Sequence, residues 1–73
     1  MKILAFGQIA EITGKTFLLD APDTDTLRHD LETSFPEFAG KKYAIAVNKK
    51  IISQNTKLHP TDEIALMPPY SGG

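Results

Sequence analysis

The sequence predicts an α+β domain in which one main helix packs on one face of a mixed sheet of about five strands. Three observations predict it. Short β-rich runs flank a single long helical stretch, that stretch carries an apolar stripe on one side only, and turn residues punctuate the chain between them. Two strands, a helix and then more strands is the order of a layered α+β fold, because each element has one apolar surface to bury.

The elements follow in order. Lys2 to Gly7 is nearly all apolar and reads as a strand covered on both faces. Gln8 to Thr13 keeps Ile9 and Ile12 three apart, which suits one helical turn. Thr13-Gly14 is a turn signal, and Lys15 to Asp20 reads as a second strand that forms a hairpin with the first. Asp23 opens the main helix. Its carboxylate can accept a backbone N–H of the first turn, and Asp25 adds charge near the positive end of the helix dipole. Leu27, Leu31 and Phe35 recur every fourth residue and make one narrow stripe. Pro36 stops the helix near Ser34, since a residue before proline avoids the α region.

Glu37 to Lys42 reads as a loop, Tyr43 to Val47 as the third strand, and Asn48 to Lys50 as a tight turn. Ile51-Ile52 is a short fourth strand. Ser53 to Thr61 is irregular, Glu63 to Met67 is the last strand, and Pro68-Pro69 stops it. A right-handed crossover through the helix puts the first and last strands side by side and parallel. That arrangement is the β-grasp, the architecture of ubiquitin. Residues 1–68 make the domain, and residues 69–73 are read as a flexible tail of it.

Composition narrows the function. A chain of 73 residues is one domain, and it buries only about 60% of the surface its unfolded form exposes. Little is left to wall a deep active site. Net charge is -1 with both signs mixed, so neither nucleic acid nor a membrane is an expected partner. There is no cysteine, hence no disulfide, no thiolate nucleophile and no cysteine-bound metal. The apolar run after Lys2 is too short for a signal peptide or a membrane span, and a cytoplasmic location is expected.

The end of the chain is its most distinctive part. Pro68 and Pro69 cannot continue a sheet ladder and favour an extended path. Tyr70, Ser71, Gly72 and Gly73 follow. Pro69 to Gly73 can reach at most about 17 Å from the fold. Two glycines let the chain thread a slot too narrow for a Cβ. A terminal carboxylate is a poor electrophile until AMP is transferred to it, and an enzyme that does this must close tightly around it. No G-x-x-x-x-G-K phosphate loop occurs here, so ATP belongs to a partner and no cofactor is expected on this chain.

Leu66 to Gly73 resembles the ending of the small subunit of molybdopterin synthase, with Pro68-Pro69 the most specific element. Phe6 to Gly14 is similar to that family's first strand and turn. Thr26-Leu27-Arg28 resembles its helix, and Ala46-Val47-Asn48 and Asp62 to Ala65 resemble its segments before the tail. The linker between helix and third strand looks short beside the family's. The resemblance implies that Gly73 is adenylated by a ubiquitin-activating-type enzyme and converted to a thiocarboxylate with sulfur from a donor protein. It implies that the tail of Pro68, Pro69, Tyr70, Ser71 and the slender Gly72 threads into the large catalytic subunit, in a heterotetrameric assembly. There the sulfur passes to a cyclic pterin precursor, for the dithiolene that holds molybdenum. A sulfur carrier for thiamin thiazole synthesis and a ubiquitin-like modifier joined to lysines are the alternatives.

Other polar residues offer less. His29 and His59 have no clustered partners and read as surface residues. Asp62-Glu63 reads as a solvated turn, and Lys41-Lys42 and Lys49-Lys50 as loop solvation that could also help dock an acidic partner. Strand alternation separates Ile64 and Leu66 from Ala65 and Met67. With the first pair under the helix, Met67, Phe6 and Ile51 are left on the open face as a candidate partner interface.

Overall fold

A computed structural model describes residues 1–38 and 40–68. Its elements are β1 (Lys2–Ala5), α1 (Gly7–Thr13), β2 (Thr16–Leu18), α2 (Thr24–Ser34), a 3₁₀ turn (Pro36–Phe38), β3 (Ala44–Val47), β4 (Lys50–Ile51) and β5 (Ile64–Met67). They form one five-stranded sheet in the order β2-β1-β5-β3-β4. The central pair β1–β5 is parallel, with Ile3 opposite Ile64 and Ala5 opposite Leu66. The other pairs are antiparallel. The β-grasp arrangement expected from the order of elements is the one found.

Helix α2 begins and ends where the local chemistry sets it. Asp23 is the N-cap, and its Oδ1 accepts the Thr26 N–H at 2.8 Å. Asn55 Oδ1 accepts a second first-turn N–H, from Asp25, at 2.9 Å. The buried Thr24 hydroxyl accepts the Thr56 N–H at 2.9 Å. The irregular stretch before β5 is therefore tied to the start of α2, and it delivers Leu58 into the core. At the other end the Phe35 N–H donates to Leu31 O at 2.7 Å, and Pro36 then breaks the helix.

Leu27 and Leu31 of α2 lie on Ile3, Ile45, Ile64 and Leu66, all fully buried. Side chains of this kind each contribute about 1.5–3 kcal/mol when removed from water. An aromatic chain closes one side of this core. Phe17 meets Phe35 at 5.8 Å between centroids, Phe35 meets Phe38 at 6.0 Å, and Phe38 meets Tyr43 at 5.0 Å.

Several expectations need correction. Strand β1 is not covered on both faces: Ile3 and Ala5 are buried, while Lys2 is exposed and Leu4 half-buried. Four apolar residues in a row cannot reveal that the second face is open. The stretch after β1 is a seven-residue helix rather than a single turn, and it lies within the β1–β2 connection. The loop from Glu37 overlaps the 3₁₀ turn, whose Phe38 plugs the core. Strand β4 starts one residue early, at Lys50, because Asn48 and Lys49 alone make the turn, with φ of 50° and 72°. Two consecutive left-handed residues give the hairpin turn whose twist matches the strands.

Candidate functional site

The uncovered face of the sheet is a floor of small residues with a larger apolar rim. Across its middle, Leu4 pairs with Ala65, Ala65 with Ala46, and Ala46 with Ile51. One step along, Met67 pairs with Ala44, and the Phe6 N–H extends the ladder by donating to Leu66 O at 3.0 Å. Because side chains alternate along a strand, Phe6, Ile51 and Met67 all rise on the side away from α2. With Ala44 and Pro68 they line a hollow of about 330 Å³. The structure thus brings together Phe6, Ile51 and Met67, the three residues expected on this face. Phe6 is 48% exposed and Ile51 68%.

Pro68 has a fixed seat at the end of β5. Gly7 turns the chain out of β1 with φ +57°, and a Cβ there would stand 2.8 Å from Pro68 Cγ. Glycine thus permits both the left-handed backbone and the close approach of the proline ring. The chain leaves the fold between the apolar hollow and a smaller cleft of about 190 Å³ lined by Gln8, Ile9, Lys41, Lys42 and Pro68. Of the residues assigned to the tail, Pro68 is at this root. Pro69, Tyr70, Ser71, Gly72 and Gly73 lie outside the described residues.

The remaining polar candidates are structural. His29 and His59 are exposed, and among the described residues no three His, Cys, Asp or Glu side chains gather as metal ligands. Asp62 does more than solvate a turn. It accepts from Asn48 Nδ2 at 3.0 Å and from the His59 N–H at 2.8 Å, while Asn48 Oδ1 accepts the Glu63 N–H at 3.0 Å. These bonds, that from the Asn48 side chain first, hold its carboxyl below the usual carboxylate range. Tyr43 is buried, its hydroxyl has no hydrogen-bond partner among the described residues, and Arg28 lies 5.4 Å from its ring centroid. Burial pushes that phenol up. What this surface offers is an apolar seat beside the root of a chain end.

Sequence reading missed two features here. Ala44, Ala46 and Ala65 form the floor, and their signal is smallness on one side of alternating strands. Leu18, 80% exposed, stands opposite Lys2 on β2 and widens the apolar face. Phasing β2 on the half-buried Phe17 would have found it.

A helix laid across a mixed sheet whose central strands are parallel, with an open apolar face beside the last strand, defines a ubiquitin-like β-grasp protein. The model of the ThiS family matches residues 3–73, and this chain belongs to that family. It is 35% identical over 81 residues to the molybdopterin synthase sulfur carrier subunit of Dictyostelium discoideum, covering 99% of this chain and 94% of that one. It is 32% identical over 81 residues to the protein of the same name from Escherichia coli (strain K12), covering 100% of this chain and 99% of the other. A solved structure, the complex of subunits 1 and 2 of molybdopterin-converting factor from Helicobacter pylori 26695, contains a similar chain. The two superpose with a TM-score of 0.71 at 35% identity, over 99% of this chain and 96% of that one. No helix among the described residues is long and apolar enough to cross a membrane.

Proposed function

We propose that this chain is the sulfur carrier subunit of a molybdopterin synthase and that its chemistry takes place on the carboxylate of Gly73. The observation that carries this reading is the match, over nearly the whole chain, to two proteins named as such subunits. The seat around Pro68 supports it, because a carrier needs a grip for its partners at the base of the segment it presents.

The chemistry runs in three steps, each on a partner. A carboxylate oxygen of Gly73 attacks the α-phosphorus of ATP on an adenylating enzyme, and pyrophosphate leaves. A sulfur nucleophile at the level of sulfide, supplied by a donor protein, adds to the acyl carbon. AMP departs with the oxygen that joined it to the carbonyl, leaving a thiocarboxylate. On the large catalytic subunit that sulfur attacks a carbon of the cyclic pterin precursor, and the oxygen substituent on that carbon leaves with the electron pair of its carbon–oxygen bond. Water at the carbonyl carbon then breaks the carbon–sulfur bond and restores the carboxylate. This chain contributes reach, slenderness and docking. Removing Gly73 shortens the reach by about 3.3–3.6 Å, where a misplacement of about 1 Å already costs a hundredfold in rate.

The test incubates the chain with the cognate adenylating enzyme, ATP and a sulfur source. Intact mass spectrometry should show one oxygen replaced by sulfur in the natural chain. A chain lacking Gly73 and a chain extended by one residue should both fold normally and gain none. Equal sulfur in the extended chain would remove Gly73 as the site. Higher-mass conjugates to other proteins in the host would favour the modifier reading instead.

A further inference from the structure

Two surfaces of different chemistry flank Pro68. On one side is the apolar hollow of Phe6, Ala44, Ile51 and Met67. On the other is the cleft in which Lys41 and Lys42 are the charged residues. The loop that holds these lysines is pinned. Phe38 is 1% exposed in the core, and the Lys41 N–H donates to Phe38 O at 3.0 Å. Gly40 turns the chain with φ +82°. Both lysines are exposed, and neither is ion-paired among the described residues.

The charges at this end of the sheet are unlike those elsewhere. Lys15 lines the groove next to Phe6 and Gly7, together with Glu11. Lys41 also borders a polar depression with Glu11 and Glu37. Three lysines and two carboxylates thus line these adjoining depressions, and of the five only Lys41 and Lys42 share a cleft with Pro68. The other seven of the nine acidic residues lie elsewhere, against five of the eight basic ones. The molecule is net negative, yet the side chains that line these depressions are net positive.

We propose that Lys41 and Lys42 form an electrostatic docking corner for an acidic rim on the adenylating enzyme, at the mouth of the slot that takes the chain end. This rests on the function proposed above. A carrier needs a lasting complex with the large subunit but only a brief one with the enzyme that activates it. Buried apolar area suits the first, whereas charge complementarity mainly sets the rate of encounter and suits the second. The ATP phosphates are not the group contacted. They meet Gly73, which an extended chain carries up to about 17 Å beyond the fold, and a lysine at Pro68 falls short of that. The complement proposed is carboxylate on the enzyme's own surface.

The experiment measures association rates with the adenylating enzyme, by stopped flow, between about 20 mM and 500 mM salt, where screening becomes nearly complete. The natural chain should associate more slowly as salt rises. Lys41→Glu/Lys42→Glu should associate about tenfold more slowly at low salt and converge with the natural chain at high salt. Lys41→Gln/Lys42→Gln should fall between them, which guards against a folding defect in the reversed variant. Lys49→Glu/Lys50→Glu, at the far end of β3, changes net charge equally and should have little effect. Equal slowing by that control pair would reduce the effect to net charge and overturn the proposal. So would unchanged or faster association of the Lys41/Lys42 variants, or slowing confined to the large subunit. A natural chain that binds the enzyme but gains no sulfur would instead count against the function proposed above.

Discussion

The two faces of the sheet are built by the same strands and do opposite things. On β5, Ile64 and Leu66 are fully buried beneath α2, while their neighbours Ala65 and Met67 are half-buried on the open side. Beneath the helix, large side chains fill the space. On the open side, alanines at 44, 46 and 65 leave a floor, and only the rim residues are large. The contrast separates a face that carries stability from one proposed for recognition. A single-residue step along one strand moves a substitution from one function to the other.

The sharpest way to break this comparison is to truncate one side chain under the helix. Leu66→Ala should cost about 2–5 kcal/mol, read from urea unfolding, since it removes transfer energy and leaves a cavity. A cost below about 1 kcal/mol would mean that the helix face is not the main core. One residue further along, Met67→Lys should leave folding within about 0.5 kcal/mol. It should weaken the complex with the large subunit by about 2 kcal/mol, roughly thirtyfold, with Phe6→Asp close behind. Unchanged binding by calorimetry would remove the hollow from the interface.

Acid sharpens the comparison from another side, because the capping carboxylates lie outside both faces. Hydrogen bonds from Thr26 hold Asp23 below the usual carboxylate range, as those from Asn48 and His59 do for Asp62. Their folded pKa values are depressed. The stability they add is thus complete above the unfolded value of about 3.9 and is lost as pH falls through the folded value. The thermal midpoint should hold down to about pH 5 and drop below about 4. Asp23→Asn/Asp62→Asn, which keeps hydrogen-bonding side chains, should flatten that drop. An identical acid limb would show that other carboxylates control it. The smallest effect belongs to Leu18. Leu18→Lys on the edge strand should change stability by less than about 0.5 kcal/mol and weaken the large-subunit complex less than Met67→Lys.

Much of this was legible in the sequence where the physics is local or periodic. Asp23 as a cap, the Leu27–Leu31 stripe and the stop at Pro36 each depend on neighbours within a few residues. Strand alternation was enough to separate Leu66 from Met67 and to bring Phe6 to the side of Met67, while the place of Ile51 follows from its pairing with Ala46. Phe38 and Leu58 were not legible. They are buried through segments with no period, and only the closed chain reveals what they pack against. The second face of β1 was misread for a related reason. Leu4 and Phe6 are as apolar as Ile3, and it is their neighbours in space that leave them uncovered.

The central pairing of β1 with β5 has a consequence for biosynthesis. Vectorial synthesis releases β1 first and β5 after every other element, yet these two strands lie side by side in the middle of the sheet. Until residues 64–67 emerge, β1 and β3 each lack their inner neighbour, and the sheet exists only as two separate edges. Contacts this distant in sequence form late in folding. A nascent chain stalled before β5 has only the β1–β2 and β3–β4 pairs, and Ile3 and Ile45 lack the strand that lies between them. Synthesis of β5 thus acts as a checkpoint: the domain can close only after the strand that pairs with both β1 and β3 has been made.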